Sequence, residues 1–111
     1  MTSLWQRIVA MFDAMSSGQP KDAEEAMKLA ESQLSYGLYD KAERTLKSAL
    51  DGEPNRADVE VKLLFVYFVW GKAADFLTLA QQVHAAHSGL SEWPNVAAMG
   101  RQLCPGESLF L

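Results

Sequence analysis

The sequence predicts an all-α fold: antiparallel helix pairs, preceded by an N-terminal amphipathic helix and followed by a short C-terminal capping helix. Three observations carry this. Isolated glycines, among them Gly37, Gly52, Gly71 and Gly89, close successive stretches of good helix formers. The chain also superimposes on itself at a shift of about 34 residues, the spacing of arrays with two antiparallel helices per unit. That shift places Gly37 on Gly71, Leu29 on Leu63, Ala30 on Leu64, Gln33 on Tyr67, Tyr39 on Ala73, Ala42 on Phe76 and Ala49 on Val83. Lastly, residues 2–17 put Leu4, Trp5, Ile8, Val9, Met11, Phe12 and Met15 within an arc of roughly 160° on a helical wheel, opposite Gln6, Ala10, Asp13 and Ala14.

The elements follow in order. Thr2 or Ser3 caps the amphipathic helix, and Ser16, Ser17, Gly18 and Pro20 stop it, so residues 1–19 read as that helix and a linker, and residues 20–111 as the domain. Asp22 with Glu25 three positions on is a capping box, opening a helix that ends at Gly37. A second helix runs from about Leu38 to Asp51, before Gly52 and Pro54. Asn55 with Asp58 opens a third, ending at Gly71. A fourth spans about Lys72 to His87, and Ser91 caps a last one that tolerates Pro94 in its first turn. The third helix contains eight consecutive apolar residues, Leu63 to Trp70, and local propensity alone would make "LLFVYFV" a strand. The repeat places it on a helix instead.

Length and charge bound the function. With 111 residues the chain holds one core and no second independent domain. A net charge of −4 offers no field for a phosphate backbone, so neither nucleic acid nor anionic lipid is expected as a partner. The single cysteine, Cys104, forms no internal disulfide, which fits a cytoplasmic setting. Gln6, Arg7 and Asp13 interrupt any signal-peptide core, and the run from Leu63 to Trp70 falls far short of the ~20 apolar residues that span a bilayer.

The segment "AMKLAESQLSYGLYDKAERTLKSALDGEPN", residues 26–55, resembles a tetratricopeptide (TPR) unit: Ala30, Gly37, Ala42 and Ala49 are small where helices approach, and Tyr39 and Pro54 stand at family positions. The second unit departs from it, with Leu64 and Phe76 at two small positions and no closing proline, which predicts a wider helix crossing. A narrower resemblance covers residues 24–110. "DVEVKLLFVYFVWGKAADFLTLAQQVHA" followed by "EWPNVAAMGRQLCPGESLF" is similar to the cytoplasmic C-terminal domain of the FimV/HubP family of bacterial polar organising proteins, through Trp93, Val96, Ala97, Ala98, Met99, Gly100, Arg101, Leu103 and Pro105. The resemblance implies a non-enzymatic adaptor with a role in type IV pilus function, twitching motility or polar organisation, located in the cytoplasm at the cell pole. Members of that family are large, with a peptidoglycan-binding periplasmic part and a membrane span. These 111 residues hold neither, and membrane tethering is not carried over.

In the repeat register Leu63, Leu64 and Tyr67 point into the stack, whereas Val61, Phe65, Phe68 and Val69 face a groove, as do Met27, Glu31 and Leu34 one unit earlier. The expected partner-binding residues are therefore Met27, Leu34, Val61, Phe65, Phe68 and Val69, and the expected partner is an amphipathic helix or peptide of another protein. Two other fates are open: Phe65 and Phe68 are simply core beneath the terminal helices, or the chain is a homodimeric structural module whose Leu4, Trp5, Ile8, Val9, Phe12 and Met15 bury in a second copy. No cofactor, metal or catalytic residue is expected. His84 and His87 are half of a metal site at most, with Cys104 the one thiol available, and read better as solvated histidines near a helix C-terminus. Ser88 lacks a nucleophile elbow, Cys104 has no adjacent cation beyond Arg101 to activate it, and no glycine-rich loop cradles a phosphate.

Overall fold

The computed structural model describes residues 22–111. The expected amphipathic helix and its self-association residues Leu4, Trp5, Ile8, Val9, Phe12 and Met15 lie outside the described residues. Within them every regular element is helical: α1 (Ala23–Ser35), α2 (Tyr39–Gly52), α3 (Ala57–Trp70), α4 (Ala73–Ala86), α5 (Trp93–Leu103) and a closing 3-10 turn, Ser108–Phe110. The apolar run is helix throughout, so the strand preference of its residues gives way to tertiary context.

Local chemistry sets the boundaries. Asp22 accepts the Glu25 backbone N–H at 2.9 Å, satisfying one of the orphan donors of the first turn of α1. Both α1 and α3 end in a left-handed glycine, Gly37 at φ 74° and Gly71 at φ 80°, where a side chain would strain the backbone. The closing bonds repeat with the sequence. Leu38 N–H donates to Gln33 O at 2.9 Å and Gly37 N–H to Leu34 O at 2.9 Å; one repeat later, Lys72 N–H donates to Tyr67 O at 3.0 Å and Gly71 N–H to Phe68 O at 3.3 Å. Glu53 N–H to Ala49 O and His87 N–H to Val83 O, at 3.0 and 2.8 Å and again one repeat apart, close α2 and α4 with a single bond each. Starts obey the shift too, since α1 and α3 begin at Ala23 and Ala57, and α2 and α4 at Tyr39 and Ala73.

Tight turns make consecutive helices alternate in direction. Each helix packs on the next, and α1 also touches α3 as α3 touches α5. The result is two layers, an inner one of α1, α3 and α5 and an outer one of α2 and α4. Between them lies a core in which Leu46, Val59, Leu64, Phe76, Val83 and Val96 are fully buried. Each such side chain contributes on the order of 1.5–3 kcal/mol. Helix α5 takes the next inner-layer place after α3, starting slightly later than one further repeat step would put it. The tail then turns back over it. Phe110 is 1% exposed, its ring 5.7 Å from that of Phe76 and 6.2 Å from that of Trp93, while Arg101 Nη1 donates to Phe110 O at 2.7 Å.

Candidate functional site: an apolar groove across three helices

Because α3 is apolar nearly all round, most of it must be covered, and most of it is. Leu63, Leu64, Val66 and Tyr67 are buried in the stack. The Tyr67 hydroxyl donates to Glu43 Oε2 at 2.6 Å, and burial together with that carboxylate pushes the phenol well above its ordinary range. One stripe of α3 escapes. Val61, Phe65 and Val69 recur every fourth residue on one face, and Phe65 and Val69 remain 43% and 41% exposed.

Phe65 and Lys62 are shared by two shallow depressions. One, of about 390 Å³, lies towards α1 and is lined also by Glu31, Leu34, Ser35, Tyr39 and Val69. The other, of about 540 Å³, lies towards α5 and is lined also by Asp58, Val61, Asn95, Ala98 and Met99. Together they form a groove with Phe65 in the middle, walled by the inner-layer helices. Its centre is one register row, Glu31, Phe65 and Met99, each one repeat step from the next. An ion pair between Lys62 and Glu31 bridges α3 and α1 across it. At the C-terminal end of α3, Tyr39 stacks on Trp70 at 6.0 Å, and Lys72 Nζ sits 4.7 Å from the Trp70 ring centre.

Of the expected groove residues, Leu34, Val61, Phe65 and Val69 come together here. Met27 and Phe68 are half-buried, pack against the core, and line neither depression. Phe68 lies about 60° round the helix from Phe65, on the Val61 side and away from Val69. The sequence assigns α5 only a capping role, yet this helix supplies a groove wall in Asn95, Ala98 and Met99. A signal for it is present in the sequence, because Val61 and Phe65 land on Asn95 and Met99 at one further repeat step.

The N-terminal end of the groove is held by Arg56. Its guanidinium contacts Asp58 at 2.7 Å, Glu24 at 3.3 Å and Glu53 at 3.5 Å, tying the starts of α1 and α3 to the end of α2. The hydrogen bonds from Arg56 hold the Asp58 carboxyl below its usual range.

The histidines do not converge. His84 packs its ring 4.5 Å from Trp93, and among the described residues no group of three or more His, Cys, Asp or Glu is placed to hold a metal ion. His87 corrects the solvated reading: its side chain is 20% exposed and its Nε2 lies 2.9 Å from Oε1 of Glu60, whose side chain is 10% exposed. Glu60 is 27 residues away, so proximity in sequence could not reveal it. The Cys104 thiol donates to Ala73 O at 3.6 Å, and burial and then Glu107 push its pKa up, which keeps it a protonated, weakly nucleophilic thiol.

No protein-family model, curated protein or solved structure matches the chain. Among the described residues, no helix is long and apolar enough to cross a membrane.

Proposed function

We propose that the chain is a non-enzymatic adaptor, similar to the cytoplasmic FimV/HubP C-terminal module, that captures an amphipathic helix of another protein in the groove centred on Phe65. The observation that carries this reading is Phe65 itself, 43% exposed between two depressions walled by α1, α3 and α5. Burial of a whole phenylalanine side chain is worth about 1.5–3 kcal/mol, so covering the remainder returns roughly 1 kcal/mol from one residue. Val69, Leu34, Val61 and Met99 add apolar surface beside it, of the kind an incoming amphipathic helix covers with anchors at i, i+3, i+4 and i+7. The family resemblance gives this binding a setting in type IV pilus function, twitching motility or polar organisation, in the cytoplasm.

Phe65→Glu tests it. The side chain already faces water, so the variant keeps its helical circular dichroism and melts within about 1 kcal/mol of the wild type, but loses partner capture after crosslinking in the bacterium. Capture that survives the substitution would remove the groove from the function.

A further inference from the structure

The groove is electrically lopsided. Glu24, Asp58 and Glu92 occupy one register row, a repeat step apart, at the starts of the three inner-layer helices. All three are exposed, and Asp58 reaches into the α5-side depression itself. Arg56 pairs with Asp58 and Glu24, but it also pairs with Glu53, so it leaves this end of the groove with an excess of negative charge. Glu92 accepts a hydrogen bond from Ser91 Oγ and forms no ion pair among the described residues. Midway, Lys62 and Glu31 neutralise each other, and Lys28, one register step before Lys62, is exposed on α1. The last turns of α1 and α3 carry no basic residue, and the groove there is lined by the uncharged Ser35 and Val69.

Helix dipoles favour a carboxylate at each of these starts, and that accounts for the acids one by one. It does not account for an acidic row set at one end of a groove whose apolar stripe is Val61, Phe65 and Val69. From that juxtaposition we infer that the occupant is a basic amphipathic helix of a partner protein, its apolar ridge over Phe65 and its Lys and Arg side chains towards Glu24, Asp58 and Glu92. This rests on the adaptor reading and deepens it. Complementary charge at a groove end fixes the direction in which a helix docks and speeds its arrival more than it adds affinity. The chain's own residues 2–17, with one Arg and one Asp, match this charge pattern poorly, and a second copy brings a net charge of −4 to an already acidic edge.

Two synthetic amphipathic helices of equal length test the inference, sharing one leucine stripe at i, i+3, i+4 and i+7 but flanked by Lys in one and by Glu in the other. Each is titrated into the full isotope-labelled chain and followed by NMR at low and at high salt. The Lys-flanked peptide is expected to shift the signals of Val61, Phe65, Val69 and Met99 and to bind about tenfold tighter than the Glu-flanked one, an advantage that salt erodes. Glu24→Gln with Glu92→Gln should cut that advantage roughly threefold, and Phe65→Ala should weaken both peptides alike. Equal binding of the two, or preference for the Glu-flanked peptide, overturns the charge inference and leaves the groove reading standing. Failure of both peptides to reach the groove overturns the two together. Groove signals that move with protein concentration instead of peptide make a second copy the occupant, and groove signals insensitive to peptide until residues 1–21 are removed make it the chain's own segment; either result contradicts the proposal.

Discussion

The Tyr67 hydroxyl lies 2.6 Å from Glu43 inside a wall of apolar side chains, and two consequences belong to that single residue. Tyr67→Phe removes one hydrogen bond while Glu43 keeps Lys47 at 3.4 Å, so stability should fall by about 1 kcal/mol at neutral pH. The pH dependence has a definite sign. Because the phenol's pKa is higher in the folded chain than in the unfolded one, its contribution is complete below about pH 10 and is lost as the pH rises beyond it. Denaturant melts between about pH 9 and 11 should therefore fall more steeply for the wild type than for Tyr67→Phe. Asp58 works in the opposite sense: its lowered pKa contributes stability that is present above about pH 4 and lost on further acidification. His87 is the other residue whose partner matters. His87→Ala leaves the Glu60 carboxylate almost fully buried with its histidine gone, and should cost about 1–3 kcal/mol, whereas replacing both by leucine should recover most of that loss. Ala26, buried one register step before Glu60, shows that an apolar residue fits that position of a pair. The Glu60–His87 contact is not legible in the sequence for this same reason: the first unit has Ala26 and Glu53 in the equivalent places, so the repeat gives no precedent for it.

At the level of the element, α5 and the tail behind it form one unit. A Cβ on Gly100 would overlap the Phe110 ring, and the atoms it would meet are the root of the ring and not a flexible end. Gly100→Ala thus sets a gain in helix propensity of about 1 kcal/mol against displacement of a buried phenylalanine worth about 1.5–3 kcal/mol. The prediction is a net loss of stability, with residues 104–111 becoming open to limited proteolysis. A stabilised variant with a protected tail would contradict it. Helix periodicity and the repeat shift make α1 to α4 legible, and the Asp22 cap with the left-handed Gly37 and Gly71 marks the start of α1 and the ends of α1 and α3. The expected caps Asn55 and Ser91 do not form: Arg56 and Glu92 hold those positions without a side-chain capping bond, and Gly52 is the last residue of α2 instead of its stop. The docking of Phe110 leaves no such trace, because a lone aromatic after Pro105 and Gly106 belongs to no period. The second role of α5 is hidden for a different reason: Trp93 and Pro94 delay its start, which obscures its agreement with Val61 and Phe65 one register step earlier.

On the scale of the molecule, the two layers leave α1, α3 and α5 side by side, and the groove is the consequence. Each inner-layer helix offers the same register positions to the same face, so one exposed stripe on α3 becomes the floor of a surface three helices wide. This is why the repeat alone points to Leu34, Val61, Phe65 and Val69, and why it groups with them Met27 and Phe68, which are half-buried against the core and line neither depression. The central claim is that this face receives a partner. A photo-crosslinking amino acid at Phe65, compared in living cells of the source organism with the same group at Lys47 on the outer layer, tests it most directly. The account predicts one discrete protein adduct at position 65 and none at 47. Equal labelling at both positions, or adducts at 47 alone, would contradict it.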